Sequence, residues 1–303
     1  MRKQIQTHNF TWINVENPTK RDTDFLRKSF HFHPLDLEDC LSPVQTPKIE
    51  EYDSYIFITL RFPVFNRKEG IVYASDLDIF INQDFLVTVH RRDLILIDKI
   101  FNKCKKDNKS QAEYFGSSPA FLLYKILSEL FDYCLPMLNH IGENIDEIED
   151  LIFKAEDKNI VEKISTVRRE VTDFHKIIKP ERLVIEKLAS KSIYHIPAKL
   201  RIYFRDLIDD MDKIWDISDS QKETIRDLQE TSVNLRSHRL NNIIKVLTIF
   251  SVILLPLSLL ANIYGMNIAL PLTQKTYAFW ILMGIMLGVV VGMIGYFRKK
   301  KWL

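Results

Sequence analysis

Seven positions near the C-terminus, Asn241, Ile244, Thr248, Ser251, Leu255, Ser258 and Asn262, follow one another at steps of 3, 4, 3, 4, 3 and 4 residues. A 3.5-residue repeat places all seven on one face of a helix. Five of the seven are Asn, Ser or Thr, while the positions around them are mostly Leu, Ile, Val and Phe. In lipid such a polar stripe must face other helices or water. Two uses are open: hydrogen bonding between packed helices, or the wall of a water-filled pore. One helix cannot enclose a pore, so the second use requires several copies of the chain.

Other chemistry-bearing residues are fewer. Gly284, Gly288 and Gly292, with Gly295 nearby, have the spacing that lets helix backbones approach closely, which predicts a packing face lying against the first membrane helix. Glu143, Asp146, Glu147 and Asp150 lie opposite an isoleucine row and read as a solvated helix face, with cation collection as the other use. His31 and His33 form an HxH pair, but no Cys or third His is spaced to complete a zinc site. Cys40, Cys104 and Cys134 form no CxxC pair and read as reduced thiols. The chain has eight glycines and neither GxGxxG nor GxxxxGK, so no nucleotide site is expected. No nucleic-acid partner or organic cofactor is expected either. With no nucleophile–base pair, the residues do not describe an enzyme.

The elements that must carry the stripe are membrane helices. The 303 residues hold 42 Lys and Arg against 40 Asp and Glu, a net of +2, but the last acid is Glu230. Setting aside Lys275, Arg298, Lys299, Lys300 and Lys301 leaves 37 basic against 40 acidic residues in 1–245. Residues 246–263 and 278–297 are two uncharged runs of 18 and 20 residues. A bilayer core needs about 20 helical residues. Arg236, Arg239 and Lys245 precede the first run, and 298–301 follow the second. The excess of cations at both long ends predicts cytoplasmic termini and a short outer loop. Lys245 with Arg298, Lys299, Lys300 and Lys301 would form a basic belt at the inner membrane surface, where snorkelling to lipid phosphate suffices as an explanation.

Ahead of the membrane the chain reads as α/β and then helical. Residues 9–15, 55–62, 71–81 and 85–90 have strand composition, with turns at 66–70 and 82–84, and 18–30 has helical spacing. From Pro119 onward the pattern is helical. Ile141, Ile145, Ile148 and Ile152 share one face. A second run covers 159–191 with a bend at Pro180, and a third starts after Pro197 and meets no proline until Pro256. A helix over 198–263 is ~100 Å long and needs partner helices to cover its apolar stripe, which predicts an oligomer. The predicted organisation is an α/β cytoplasmic domain over 1–115, a helical stalk over 116–242 and a membrane domain over 243–303. Its helices cover about 243–263 and 278–297, with the outer loop at 264–277.

Between the two runs stands Tyr264-Gly265-Met266-Asn267. There the sequence resembles the CorA divalent-cation transporters, marked by Gly-Met-Asn after the first of two C-terminal membrane helices. Further segments resemble the family in order: 33–39 its HPLxLED, 47–52 its PKxExY, 241–248 its NExMKVLT and 299–303 its KKKWL. The resemblance implies a funnel-shaped homopentamer whose five first helices line a pore for Mg²⁺, with Co²⁺ and Ni²⁺ as further cargo. It implies that Asn267 rings the outer mouth and meets the hydrated ion. Mg²⁺ gives up water reluctantly, and an amide oxygen can hydrogen-bond that shell without adding a charge that traps the ion. Gly265 would allow a sharp exit from the helix. The resemblance also implies closure by intracellular Mg²⁺ bridging acids of neighbouring subunits, here Asp39, with Glu38 beside it, and Asp206 of the Tyr203-Phe204-Arg205-Asp206 segment.

The sequence departs from the family at two places. A third acidic position of the sensor falls on Ser128, and the adjacent Glu129 points about 100° away on a helix. The family loop often continues with MPEL, whereas 268–275 here carries no carboxylate and one cation, Lys275. Zinc transport on the same architecture is the nearer alternative, although the related ZntB proteins generally carry Gly-Val-Asn. A non-conducting, membrane-anchored sensor or scaffold is the other, and the polar stripe argues against it.

Overall fold

The computed structural model describes residues 2–7, 9–42, 46–66, 70–116, 118–154, 159–190, 195–266, 277–300 and 302. The chain divides into two compact units, Met1–Gln229 and Glu230–Leu303.

The first unit is built on six strands: β1 (Arg2–Gln6), β2 (Thr11–Glu16), β3 (Lys48–Glu51), β4 (Ile56–Asn66), β5 (Ile71–Ile81) and β6 (Phe85–His90). Their order across the sheet is β1-β2-β6-β5-β4-β3. Only β2 and β6 run parallel; the other neighbours are antiparallel. The β5–β6 turn is set locally, since Asn82 Oδ1 accepts from the Asp84 and Phe85 N–H groups at 2.8 and 2.9 Å. The expected strand over 71–81 and that over 85–90 match β5 and β6. The edge strands β1 and β3 were not expected. Each is short and largely polar, and it becomes a strand through its neighbour's ladder rather than its own periodicity.

Both faces of the sheet are covered, so period-2 alternation sends each strand's residues to two cores. Ile13 and Val15 of β2 join Phe32, Leu37, Phe57 and Phe80 beneath α1 (Lys20–Phe30) and α2 (Pro34–Asp39). Trp12 points the other way and meets Phe101 of α3 (Ile95–Lys106) and Phe115 of α4 (Asn108–Phe115). Helix α1 starts at a capping box between Thr19 and Asp22 and ends at His31 in the left-handed conformation. Helix α2 carries Pro34 at its first turn, and His33 Nδ1 accepts from the Leu35 N–H at 3.3 Å. His33 is therefore a helix cap rather than half of an HxH site.

Helices α5 (Pro119–Lys154), α6 (Ile160–Ile178) and α7 (Glu181–Ala189) follow. The predicted isoleucine row of α5 is buried throughout. The expected bend at Pro180 falls between α6 and α7. Strand β4 contains Pro63, and its position is explained by the same edge that seats α7. The Arg61 N–H turns away from β5 to Glu181 Oε1 at 2.9 Å, and β3 pairs only with the stretch up to Thr59. Pro63, two residues on, aims its missing N–H at the same vacated edge and costs no ladder bond. Glu181 is fully buried and, among the described residues, its Oε2 has no hydrogen-bond partner; burial holds this carboxyl well above the usual carboxylate range.

A short 3-10 turn (Ala198–Leu200) then leads into α8 (Arg201–Tyr264). Within the first unit α8 is tied to its neighbours by Gln221 to the Leu138 carbonyl at 2.7 Å, Arg168 to Gln229 at 2.9 Å and Arg182 to Asp212 at 2.7 Å. The second unit comprises the remainder of α8 and α9 (Ala278–Lys299). Both helices are long and apolar enough to cross a membrane.

Candidate functional site

All seven stripe residues lie on α8 and are exposed, Asn241 through Asn262. The shielded positions of the same stretch are Lys245, Ile249, Ile253, Pro256, Leu257 and Leu260, on another face. The stripe is thus a row of polar side chains with no protein over it in a single chain. Thr248 donates its hydroxyl to the Ile244 carbonyl at 2.8 Å, and Ser251 to the Leu247 carbonyl at 2.9 Å. With the proton committed to the helix, what each hydroxyl presents outward is oxygen lone pairs. Pro256 gives no N–H to the Val252 carbonyl one turn back, which frees a further backbone oxygen on this segment.

At the end of α8 the Gly265 N–H bonds to the Ala261 carbonyl at 2.9 Å, and Met266 to Ile263 at 3.3 Å. Gly265 does not adopt a positive φ; among the described glycines only Gly70 and Gly116 do. A Cβ here would stand 3.2 Å from the Ala261 carbonyl oxygen, the same carbonyl that the Gly265 N–H bonds. Tyr264 ends the helix half-exposed. Asn267, Lys275 and Lys301 lie outside the described residues, as does the rest of 267–276.

The glycine row of α9 also departs from expectation. Gly284, Gly288 and Gly292 are exposed, and a Cβ on any of them would meet nothing within 4 Å. The shielded residues of α9 are Leu282, Met286, Val289, Val290, Met293, Ile294 and Phe297. Bulky side chains cover this helix within the chain, and the close-approach face is left outward. Arg298, Lys299 and Lys300 of the basic belt are exposed and Lys245 is half-buried. Trp302 folds back on the helix end, its N–H on the Phe297 carbonyl at 2.9 Å and its ring stacked on Phe297.

The predicted regulatory acids lie in the first unit and are held in different ways. Asp39 closes α2 and pairs with Lys48 at 2.7 Å, while Glu38 is exposed. Asp206 is exposed on the first turns of α8 and accepts from the Tyr124 hydroxyl at 3.3 Å. Glu129 accepts from the Tyr114 hydroxyl at 2.7 Å, so its carboxylate is committed to α4. Sequence reasoning missed Asp132 and Asp210. Burial raises the Asp210 carboxyl first, then the nearby negative charges of Asp206 and Asp132 raise it further. The Asp206/Asp210 pair at i, i+4 was the signal that could have found it. Among the described residues no group of three His, Cys, Asp or Glu is close enough to hold a metal ion. The acidic face of α5 is solvated and partly ion-paired, Glu147 to Lys163 at 3.0 Å and Asp150 to Lys154 at 3.1 Å. The three cysteines are free and buried.

Against known proteins, residues 7–299 match the family model described as CorA-like Mg²⁺ transporter protein. The cobalt/magnesium transport protein CorA of Thermotoga maritima is 27% identical over 299 residues, covering 97% of this chain and 83% of the relative. That of Methanocaldococcus jannaschii is 26% identical over 300 residues, covering 99% and 93%. The solved structure of the M. jannaschii CorA magnesium transporter superposes with a TM-score of 0.86 at 25% identity, covering 99% of this chain and 93% of that one. A ZntB cytoplasmic domain from Vibrio parahaemolyticus shares the fold at a TM-score of 0.63 and 16% identity, over 77% of this chain and 90% of its own.

Proposed function

This chain belongs to the CorA-like Mg²⁺ transporter family, and from that premise we propose that it passes divalent cations, Mg²⁺ foremost and Co²⁺ and Ni²⁺ as well, through a pore built from several copies. The observation that carries the reading is the exposed polar row of α8 on a C-terminal stretch otherwise apolar and long enough to span. A sealed bundle has little use for five polar positions in register, whereas a pore wall needs them. The family supports a homopentamer in the cytoplasmic membrane. In it 243–303 form the pore, 116–242 the stalk and 1–115 the sensor domain, with both termini inside. Tyr264, Gly265, Met266 and Asn267 form the outer mouth, where the Asn267 amide holds the hydrated ion. The basic belt, Lys245 with Arg298 to Lys301, anchors to lipid phosphate.

Entry needs no coupled energy source. One charge moving through 100 mV gains about 2.3 kcal/mol, and a divalent ion about twice that. Closure is assigned to intracellular divalent cation held between subunits by Asp39, Glu38 and Asp206, with Glu129 nearby. Since the described residues of one chain provide no complete metal site, ligands shared across a subunit boundary are the arrangement that fits. Such carboxylates repel until a cation joins them.

Purified protein in liposomes with an internal Mg²⁺ indicator tests the reading. Wild type should load the vesicles and Asn267→Ala should abolish loading. Loading for Zn²⁺ alone would replace the ion; silence for every divalent ion in folded, oligomeric protein would sink the transport reading.

A further inference from the structure

Lys48 opens β3, and its ammonium stands between two carboxylates, 2.7 Å from Asp39 Oδ2 and 3.0 Å from Glu50 Oε1. The same ammonium lies 5.3 Å from the centre of the Phe57 ring. Its surroundings are held firmly. Tyr52 donates to Asp36 at 3.0 Å and contacts Glu50 Oε2 at 3.2 Å. Tyr55 donates to Asp36 at 2.7 Å and accepts the His33 N–H at 2.9 Å. These bonds tie α2 to the turn between β3 and β4, next to Lys48, and so hold Asp39 facing Lys48. The pair is reachable from solvent: the Lys48 side chain is 31% exposed and that of Asp39 24%.

A carboxylate already holding an ammonium is a weaker ligand for a second cation, because the new ion must displace the first or sit against its charge. Lysine suits displacement, being a point charge on a flexible four-carbon stem, whereas arginine would grip the carboxylate with two donors. We propose that Lys48 is a tethered competitor of the regulatory cation: it occupies Asp39 when intracellular divalent cation is scarce and sets the concentration at which the ion takes its place. This rests on the assignment of Asp39 to closure made above. The ammonium screens Asp39 from Glu50 and holds α2 in register until the ion arrives.

The test is Mg²⁺ influx into liposomes carrying the full-length protein, read at graded internal Mg²⁺. Lys48→Met and Lys48→Gln remove the charge and keep much of the stem; each should lower the half-inhibiting Mg²⁺ concentration about fivefold, the upper end for a partly exposed pair. Lys48→Arg should leave it unchanged or raise it. Joining Lys48→Met to Asp39→Asn should erase the shift. If Asp39→Asn relieves inhibition but Lys48→Met leaves the midpoint in place or raises it, the competitor role is overturned and the assignment of Asp39 stands. If Asp39→Asn leaves inhibition untouched, that assignment falls and this proposal with it. Should Lys48→Met not assemble, Lys48→Gln against Lys48→Arg decides, and equal midpoints overturn the proposal.

Discussion

The two units of this chain solve the same problem, where to put apolar surface, in opposite ways. The first unit puts it inside: Trp12, Phe57, Phe80, Phe101 and Phe131 are completely buried. Its polar groups find each other within the chain, as Thr88 does with Asn14 at 2.8 Å and Trp12 at 3.1 Å. In the second unit the buried residues, among those described, are Ser232, Ile249 and Phe297. Many of its leucines face outward, Leu247, Leu254, Leu255, Leu259 and Leu287 among them, and the polar row beside them is exposed in a single chain. The first unit covers its core within one chain. The second leaves its apolar surface outward, as helices meant for lipid and for further copies would, and that is why the proposal assigns transport to it.

The largest test of that contrast removes bulk from each unit. Phe32 is 2% exposed and stacks on Phe80 with ring centres 4.0 Å apart. Phe32→Ala should cost about 3–5 kcal/mol in unfolding of the first unit, followed by thermal melting in detergent. Leu255→Ala, at a position 68% exposed, should cost less than about 0.5 kcal/mol. A loss at Leu255 as large as at Phe32 would mean that the row is packed against a neighbour and no longer faces water.

A smaller effect comes from the charge buried in the first unit. Asp78 is 4% exposed and accepts from Thr59 at 2.8 Å; burial lifts its carboxyl from 3.8 to about 7. Between those values the folded protein keeps a proton that the unfolded chain has released. Stability is therefore highest below the lower value, declines as pH rises through the window and is flat above the upper one. Asp78→Asn should flatten that slope and gain up to about 4 kcal/mol at pH 8. Unchanged melting at pH 8 would place a compensating cation beside Asp78.

The smallest effect sharpens the picture of the second unit. Ser251→Ala removes one outward lone-pair donor and should reduce Mg²⁺ influx about threefold with the melting of the first unit unchanged. Intact influx with weakened assembly would turn the stripe into glue between helices.

The sequence by itself determined the two spans, the face that Asn241 to Asn262 share, the isoleucine face of α5, the break at Pro180 and the strands β5 and β6. All of these follow from periodicity or from residues that fix their own backbone, so a contiguous stretch suffices to read them. The tertiary structure alone decided β1 and β3, the docking of Glu181 on the vacated edge of β4 and the outward turn of the glycine row. It also decided the approach of Asp132 to Asp206 and Asp210 and the pairing of Lys48 with Asp39. Lys48 and Asp39 come from different elements, and their meeting depends on α2 being clamped to the sheet by Tyr52 and Tyr55. Such contacts join residues distant along the chain, and no local pattern encodes the gap between them until the sheet has formed.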